Sequence, residues 1–159
     1  MISLARAALL IGVAFAAASA QAHTATMTCP VASDAAVASQ FDRFMAAWAT
    51  GKPAKVAALF GPNATLLATV SNAERTTPAG IEEYFVSFLA NKPVARIDTS
   101  TIVRDCNTAT RSGNWTVSML NANKDRVDVP ARYTFEYKWD GKDWMIQHLH
   151  SSVRPAPTK

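Results

Sequence analysis

His148 and His150 stand two residues apart in "DWMIQHLHSS", near the end of a chain with three histidines. On an extended strand such a pair shares one face and could hold one edge of a metal ion, but zinc or copper needs at least a third ligand. The remaining histidine, His23, lies where a leader is expected to be cut, and no metal site is expected. A second chemistry is proton transfer, with an imidazole in a semi-buried cavity acting as general acid or base. The carboxylates available to it are Asp42, Glu82 and Glu83, and Asp42 is the better placed because Phe41, Phe44 and Trp48 surround it in sequence. In a third reading both rings hydrogen-bond Tyr133, Ser152 or a backbone group and simply shape a pocket wall.

The choice depends on the strand's register. In "ARYTFEYKW", Tyr133, Phe135, Tyr137 and Trp139 alternate with Arg132, Thr134, Glu136 and Lys138. A two-residue turn at Asp140-Gly141 pairs Tyr137 with Trp144, and a turn at Gly141-Lys142 moves the partners along by two. Both put His148 and His150 on the aromatic side, because the side-chain period of a strand is two. A three-residue loop would put them beside Arg132 and Thr134 instead. The aromatic side is the expectation, since it keeps Trp144 and Ile146 with Tyr137 and Phe135. Trp48, Tyr133, Phe135, His148 and His150 are then the candidate ligand-binding residues, with His148, His150 and Asp42 the catalytic set if the protein is an enzyme.

Helical periodicity covers "SDAAVASQFDRFMAAWA", with Ser33 or Asp34 as cap and Gly51 as stop. A short helix follows at "KPAKVAALF", closed by Gly61-Pro62. "TPAGIEEYFVSFLAN" forms another, capped by Thr77, with Pro78 in its first turn. "NATLLATV" reads as a strand between the last two helices. After Pro93 come four runs rich in β-branched and aromatic residues: "VARIDTSTIVRDC", "ATRSGNWTVSML", "VPARYTFEYKW" and "DWMIQHLHSSV". Helices first and a strand meander after them predict an α+β domain, a curved antiparallel sheet with three helices of the N-terminal half on one face. A single domain is expected over residues 29–155, followed by a short tail at 156–159.

The first residues, "MISLARAALLIGVAFAAASAQA", have the charged start, apolar middle and small-residue end of a signal peptide, cut after Ala22 or after Ala20. The apolar run is short for a membrane span. A secreted or periplasmic protein is expected. The formal charge of +4 falls by one when Arg6 leaves with the leader. No basic run with interleaved aromatics points to nucleic acid. In an oxidising compartment, Cys29 and Cys106 read as a disulfide pair, closing a loop of about 77 residues.

The order of elements, "GKPAKVAALFGPNATLL", "TPAGIEEYFVSFL" and the closing "YTFEYKWDGKDWMIQHLHSS" together resemble the nuclear transport factor 2-like superfamily. Within it the chain resembles secreted bacterial relatives of the association domain of calcium/calmodulin-dependent protein kinase II, near the SnoaL-like group. The H-x-H-x-S run of His148, His150 and Ser152 is the most specific part, and paired cysteines like Cys29 and Cys106 recur in those relatives. The resemblance implies a cone, a strongly bent sheet around a pocket, and homo-oligomers formed through the outer side of the sheet. It implies no kinase chemistry, since the chain has no glycine-rich loop, H-R-D or D-F-G. Where it would place a pocket arginine the sequence has Phe135, with Arg132 nearby on the alternate face. The expected function is a secreted, self-associating domain whose aromatic pocket binds a small molecule or peptide without a cofactor. The alternative is a SnoaL-like isomerase, dehydratase or cyclase using a pocket histidine, and a third is a purely structural assembly module.

Overall fold

The computed structural model describes residues 32–156. The expected leader, His23 and Cys29 lie outside them. The elements run α1 (Asp34–Ala49), α2 (Pro53–Ala57), β1 (Phe60–Leu67), α3 (Pro78–Leu89), β2 (Val94–Ile97), β3 (Thr101–Arg104), β4 (Thr108–Leu120), β5 (Arg126–Trp139) and β6 (Trp144–Val153). Helices α1 and α3 start where a side chain satisfies a free N–H group. Ser33 accepts from the Ala36 amide at 3.1 Å and Thr77 from the Gly80 amide at 3.1 Å. Gly51, at φ 64, turns the chain out of α1. The apolar face of α1 buries Val37, Phe41, Phe44 and Trp48, and that of α3 buries Ile81, Tyr84, Phe85, Phe88 and Leu89.

The six strands form one sheet in the order β1-β6-β5-β4-β2, with β3 also pairing β4. The α+β class is as expected, with two differences. The sheet is mixed, because β1 runs parallel to β6. The run expected as one strand after Pro93 is two, broken between Ile97 and Thr101, so β2 and β3 pair successive stretches of β4. The break lets Thr99 cross Gly113 closely: a Cβ on Gly113 would stand 2.1 Å from the Thr99 carbonyl oxygen, which also accepts from the Tyr133 hydroxyl at 3.1 Å. Gly61 and Pro62, expected to close α2, belong to β1.

Helices and inner sheet wall meet in a core of rings. Phe44 sits 4.9 Å from Trp48, 5.4 Å from Phe135, 6.1 Å from Phe85 and 6.2 Å from Phe60, centroid to centroid. Most of these contacts are edge-on or tilted, the arrangement ring quadrupoles favour.

A methyl at Gly113 has no room against a backbone carbonyl, so Gly113→Ala is expected to destabilise the protein by about 1–3 kcal/mol, the usual range for overpacking. Urea unfolding measures it. An unchanged midpoint would mean that the β2–β3 break does not press on β4.

Candidate functional site

The last hairpin determines which side chains reach the inner wall. Trp139 pairs with Trp144 and Tyr137 with Ile146, which is the register of the Gly141-Lys142 turn. The Asp140 carboxylate accepts from the Lys142 amide at 2.8 Å and the Asp143 amide at 2.7 Å, and these bonds hold its pKa below the ordinary carboxylate value. Trp144 and Ile146 are buried as expected. Beyond them the register slips: Glu136 pairs with His148, leaving Gln147 as one extra residue on β6. A bulge of one residue reverses the facing of everything after it.

Leu149 and Ser151 therefore point inward, while His148 and His150 lie on the outer face. This corrects the expectation that the imidazoles line the aromatic cavity. His150 is exposed and His148 half-buried. They stand 6.4 Å apart, opposite Thr134 and Glu136 of β5 and beside Leu67 and Thr65 of β1. His150 borders an outer hollow of about 300 Å³ with Arg132, Tyr133, Thr134 and Ser152. Asp42, Glu82 and Glu83 are exposed on their helices, so the expected acid–base set is not assembled at the inner cavity. No group of three or more His, Cys, Asp or Glu suited to a metal occurs among the described residues.

The inner wall carries a cleft of about 290 Å³, counted to its open mouth, between α1, α3 and the strands β1, β4 and β6. Its rings are Phe44, Trp48, Tyr84, Phe85, Phe88 and Trp115, and its polar side chains are mostly hydrogen-bonded to one another. Trp115 Nε1 donates to Ser151 Oγ at 3.0 Å, and the Thr69 hydroxyl bonds the same oxygen. Trp48 Nε1 is buried without an acceptor among the described residues. Burial pushes the Tyr84 phenol above the ordinary tyrosine pKa, against a smaller opposing effect of the Arg75 guanidinium, which lies 5.7 Å above its ring. Arg75 belongs to a neighbouring groove that shares Tyr84 and Phe88 with the cleft.

Of the candidate ligand-binding residues, Trp48 lines this cleft. Tyr133 and Phe135 are core, at 2 % and 0 % exposure. Thr69, Ser151 and Tyr84 were missed. Ser151 was legible only through a change of parity along β6, where apolar residues pass from Trp144 and Ile146 to Leu149. Arg111 was missed too, although its place between Ala109 and Trp115 in the β4 alternation marks an inward residue. It lies opposite Phe135, donates to Ser100 Oγ at 2.9 Å and to the Ala38 carbonyl at 3.0 Å, and stacks on Phe41.

A family model described as "SnoaL-like domain" matches residues 41–145. A crystal structure from Xanthomonas campestris, named as a candidate calcium/calmodulin-dependent protein kinase II association domain, is 41% identical and superimposes with a TM-score of 0.74, covering 80% of this chain and 92% of that one. A nuclear transport factor 2-like superfamily protein from Salmonella enterica, 16% identical, gives a TM-score of 0.65 over 77% of this chain and 91% of that one. SalBIII, described as an epoxide hydrolase/cyclase-like enzyme of pyran ring formation in salinomycin, is 18% identical, with a TM-score of 0.61 over 74% and 89%. Among curated proteins, none matches the sequence significantly.

The bulge predicts unequal costs for adjacent residues of β6. Leu149→Ala is expected to lose about 2–5 kcal/mol, as for a buried leucine, and His150→Ala no more than about 0.5 kcal/mol, as for a surface site. Chemical denaturation compares them, and a reversed order would place His150 inside.

The phenols give a pH dependence. Burial holds the Tyr84 and Tyr137 hydroxyls protonated above the ordinary tyrosine range, whereas unfolded tyrosines ionise near pH ~10. Above that pH the unfolded chain releases protons that the folded one retains, so this contribution to stability is complete below pH ~10 and is lost as pH rises further. Ultraviolet titration should show the Tyr84 and Tyr137 phenols ionising late, with a falling melting temperature over the same range. Ordinary titration of these two would contradict their burial.

Proposed function

Because the chain belongs to the SnoaL-like domain family, within the nuclear transport factor 2-like superfamily, we propose that it is a secreted, self-associating module whose inner cleft binds a small molecule. The observation carrying this reading is the lining of the cleft: aromatic rings and neutral hydroxyl and indole groups, with no histidine, aspartate or glutamate among the described lining residues. Ligand pockets have this character, mainly apolar with a few fixed polar atoms. The free space in the cleft is about 20 Å³, little more than a water molecule needs, which favours a small molecule over a peptide.

Secretion rests on the leader-like first 22 residues. Self-association rests on the likeness to the Xanthomonas campestris protein and on the outer sheet face, where Arg132, Thr134 and Glu136 lie in one row. The disulfide remains part of the proposal, with Cys106 in the loop between β3 and β4 and Cys29 outside the described residues.

The likeness to SalBIII supports a second reading, a cofactor-free isomerase, dehydratase or cyclase. In that case neither His148 nor His150 is the proton carrier at the cleft, because both face outward, and Tyr84 is its titratable hydroxyl.

The test uses the mature protein with the uncharged fluorescent probe N-phenylnaphthylamine. Binding should raise probe fluorescence and the melting temperature, by about 2.7 kcal/mol of stabilisation at a hundredfold excess over Kd. Ala68→Phe, which fills the cleft, should abolish both effects. Absence of uptake by the wild type, or uptake undiminished in Ala68→Phe, would refute the binding reading. Conversion of a bound compound, followed by mass spectrometry, would establish the enzyme instead.

A further inference from the structure

We infer that the ligand is a small, flat, uncharged molecule bearing a carbonyl-type hydrogen-bond acceptor, read by Trp48 Nε1 and the Thr69–Ser151 hydroxyl pair. This rests on the reading of the inner cleft as a binding site. An indole N–H can only donate, so in the Trp115–Ser151 bond Ser151 Oγ is the acceptor. Thr69 and Ser151 bring two hydroxyl hydrogens to the single bond between them. Whichever way that bond points, one hydrogen of the pair remains available.

Trp48 Nε1 supplies a second donor, buried and without an acceptor. Buried polar groups are nearly always paired, so a ligand acceptor there completes a bond that the described residues do not make. Tyr84 adds a third donor, because burial keeps its phenol protonated. Hydrophobic rings enclose these groups, and they favour a flat apolar body. The free space of the whole cleft is about 20 Å³, little more than a water molecule needs, so the ligand has to be small and enters only where the stacked Tyr84 and Phe88 rings, 5.4 Å apart at the boundary with the outer groove, part.

Charge separates a carbonyl compound from a carboxylate. No lysine, arginine or histidine is among the described residues lining the cleft. Arg111 is engaged by Ser100, the Ala38 carbonyl and the Phe41 ring. Arg75 donates to Ser71 and to the Ala73 carbonyl in the neighbouring groove. A carboxylate entering the cleft would leave water without meeting a cation, a desolvation penalty that neutral donors offset only in part.

The experiment is calorimetric titration of the mature protein at pH 7 with three probes of nearly one shape: benzylideneacetone, trans-cinnamate and trans-β-methylstyrene. The ketone is expected to bind about tenfold more tightly than either of the others. Trp48→Phe keeps the ring and removes the N–H, and should bring the ketone down to the hydrocarbon's affinity while leaving the hydrocarbon unchanged. Ser151→Ala is an independent check and should act in the same direction. Hydrocarbon binding as tight as the ketone's, or cinnamate binding equal to or tighter than it, overturns the inference; the cleft reading stands if Ala68→Phe still abolishes binding. If no probe binds, or binding survives both Ala68→Phe and the milder Ala68→Leu, the cleft reading fails together with the inference.

Discussion

Gln147 has no partner on β5. Tyr137 takes Ile146 and Glu136 takes His148, and the residue between them bulges from the ladder with its side chain over Gly61. An added Cβ at Gly61 would stand 2.1 Å from the Gln147 amide nitrogen, so the bulge and the bare glycine on β1 form one joint. Here β1 runs parallel to β6, and its own register is irregular between Phe60 and Thr65. The face of β6 that reaches the cleft is set at this joint. A strand without the extra residue would carry two imidazoles inward and Leu149 outward.

The energetic preference is clear in direction. Burying a leucine is worth about 1.5–3 kcal/mol relative to leaving it exposed. Burying two imidazoles among Trp48, Phe44 and Phe88 would require partners for four ring nitrogens, and unpaired polar groups in such a place cost several kcal/mol. The bulge loses regular pairing at one residue and avoids both penalties.

Helices α1 and α3 were legible in the sequence because each carries its own evidence: a capping Ser33 or Thr77, a stop at Gly51 for the first, and apolar residues at helical spacing. The four runs after Pro93 were legible for the same reason, as was the aromatic alternation of β5. What stayed hidden depends on partners distant in sequence. The parallel pairing of β1 with β6 joins Phe60 to Ile146, and nothing local to either residue announces it. The break at Asp98–Ser100 is set by how β2 and β3 share β4. The bulge left a trace, the parity switch from Ile146 to Leu149, but a pattern of two cannot show where in Gln147-His148 the extra residue falls. Trp48 was recognised as cleft wall because its helix fixes its facing. His148 and His150 were misplaced because their facing is fixed by another strand.

The same slip has an opposite consequence one residue further on. With Gln147 extra, Ser151 turns inward and supplies the acceptor that the buried Trp115 N–H requires, and Thr69 joins it from the segment after β1. The slip thus removes two imidazoles from the cleft and delivers a hydroxyl to it. Cleft and outer face acquire different chemistries from alternate residues of one strand. The cleft keeps neutral donors among rings. The outer wall receives both histidines, set against Glu136, Thr134 and Arg132, where they meet solvent or another molecule. The histidines thus belong to the outer face and not to the cleft. The same H-x-H-x-S run reaches the cleft through Ser151, the residue between the second histidine and the final serine.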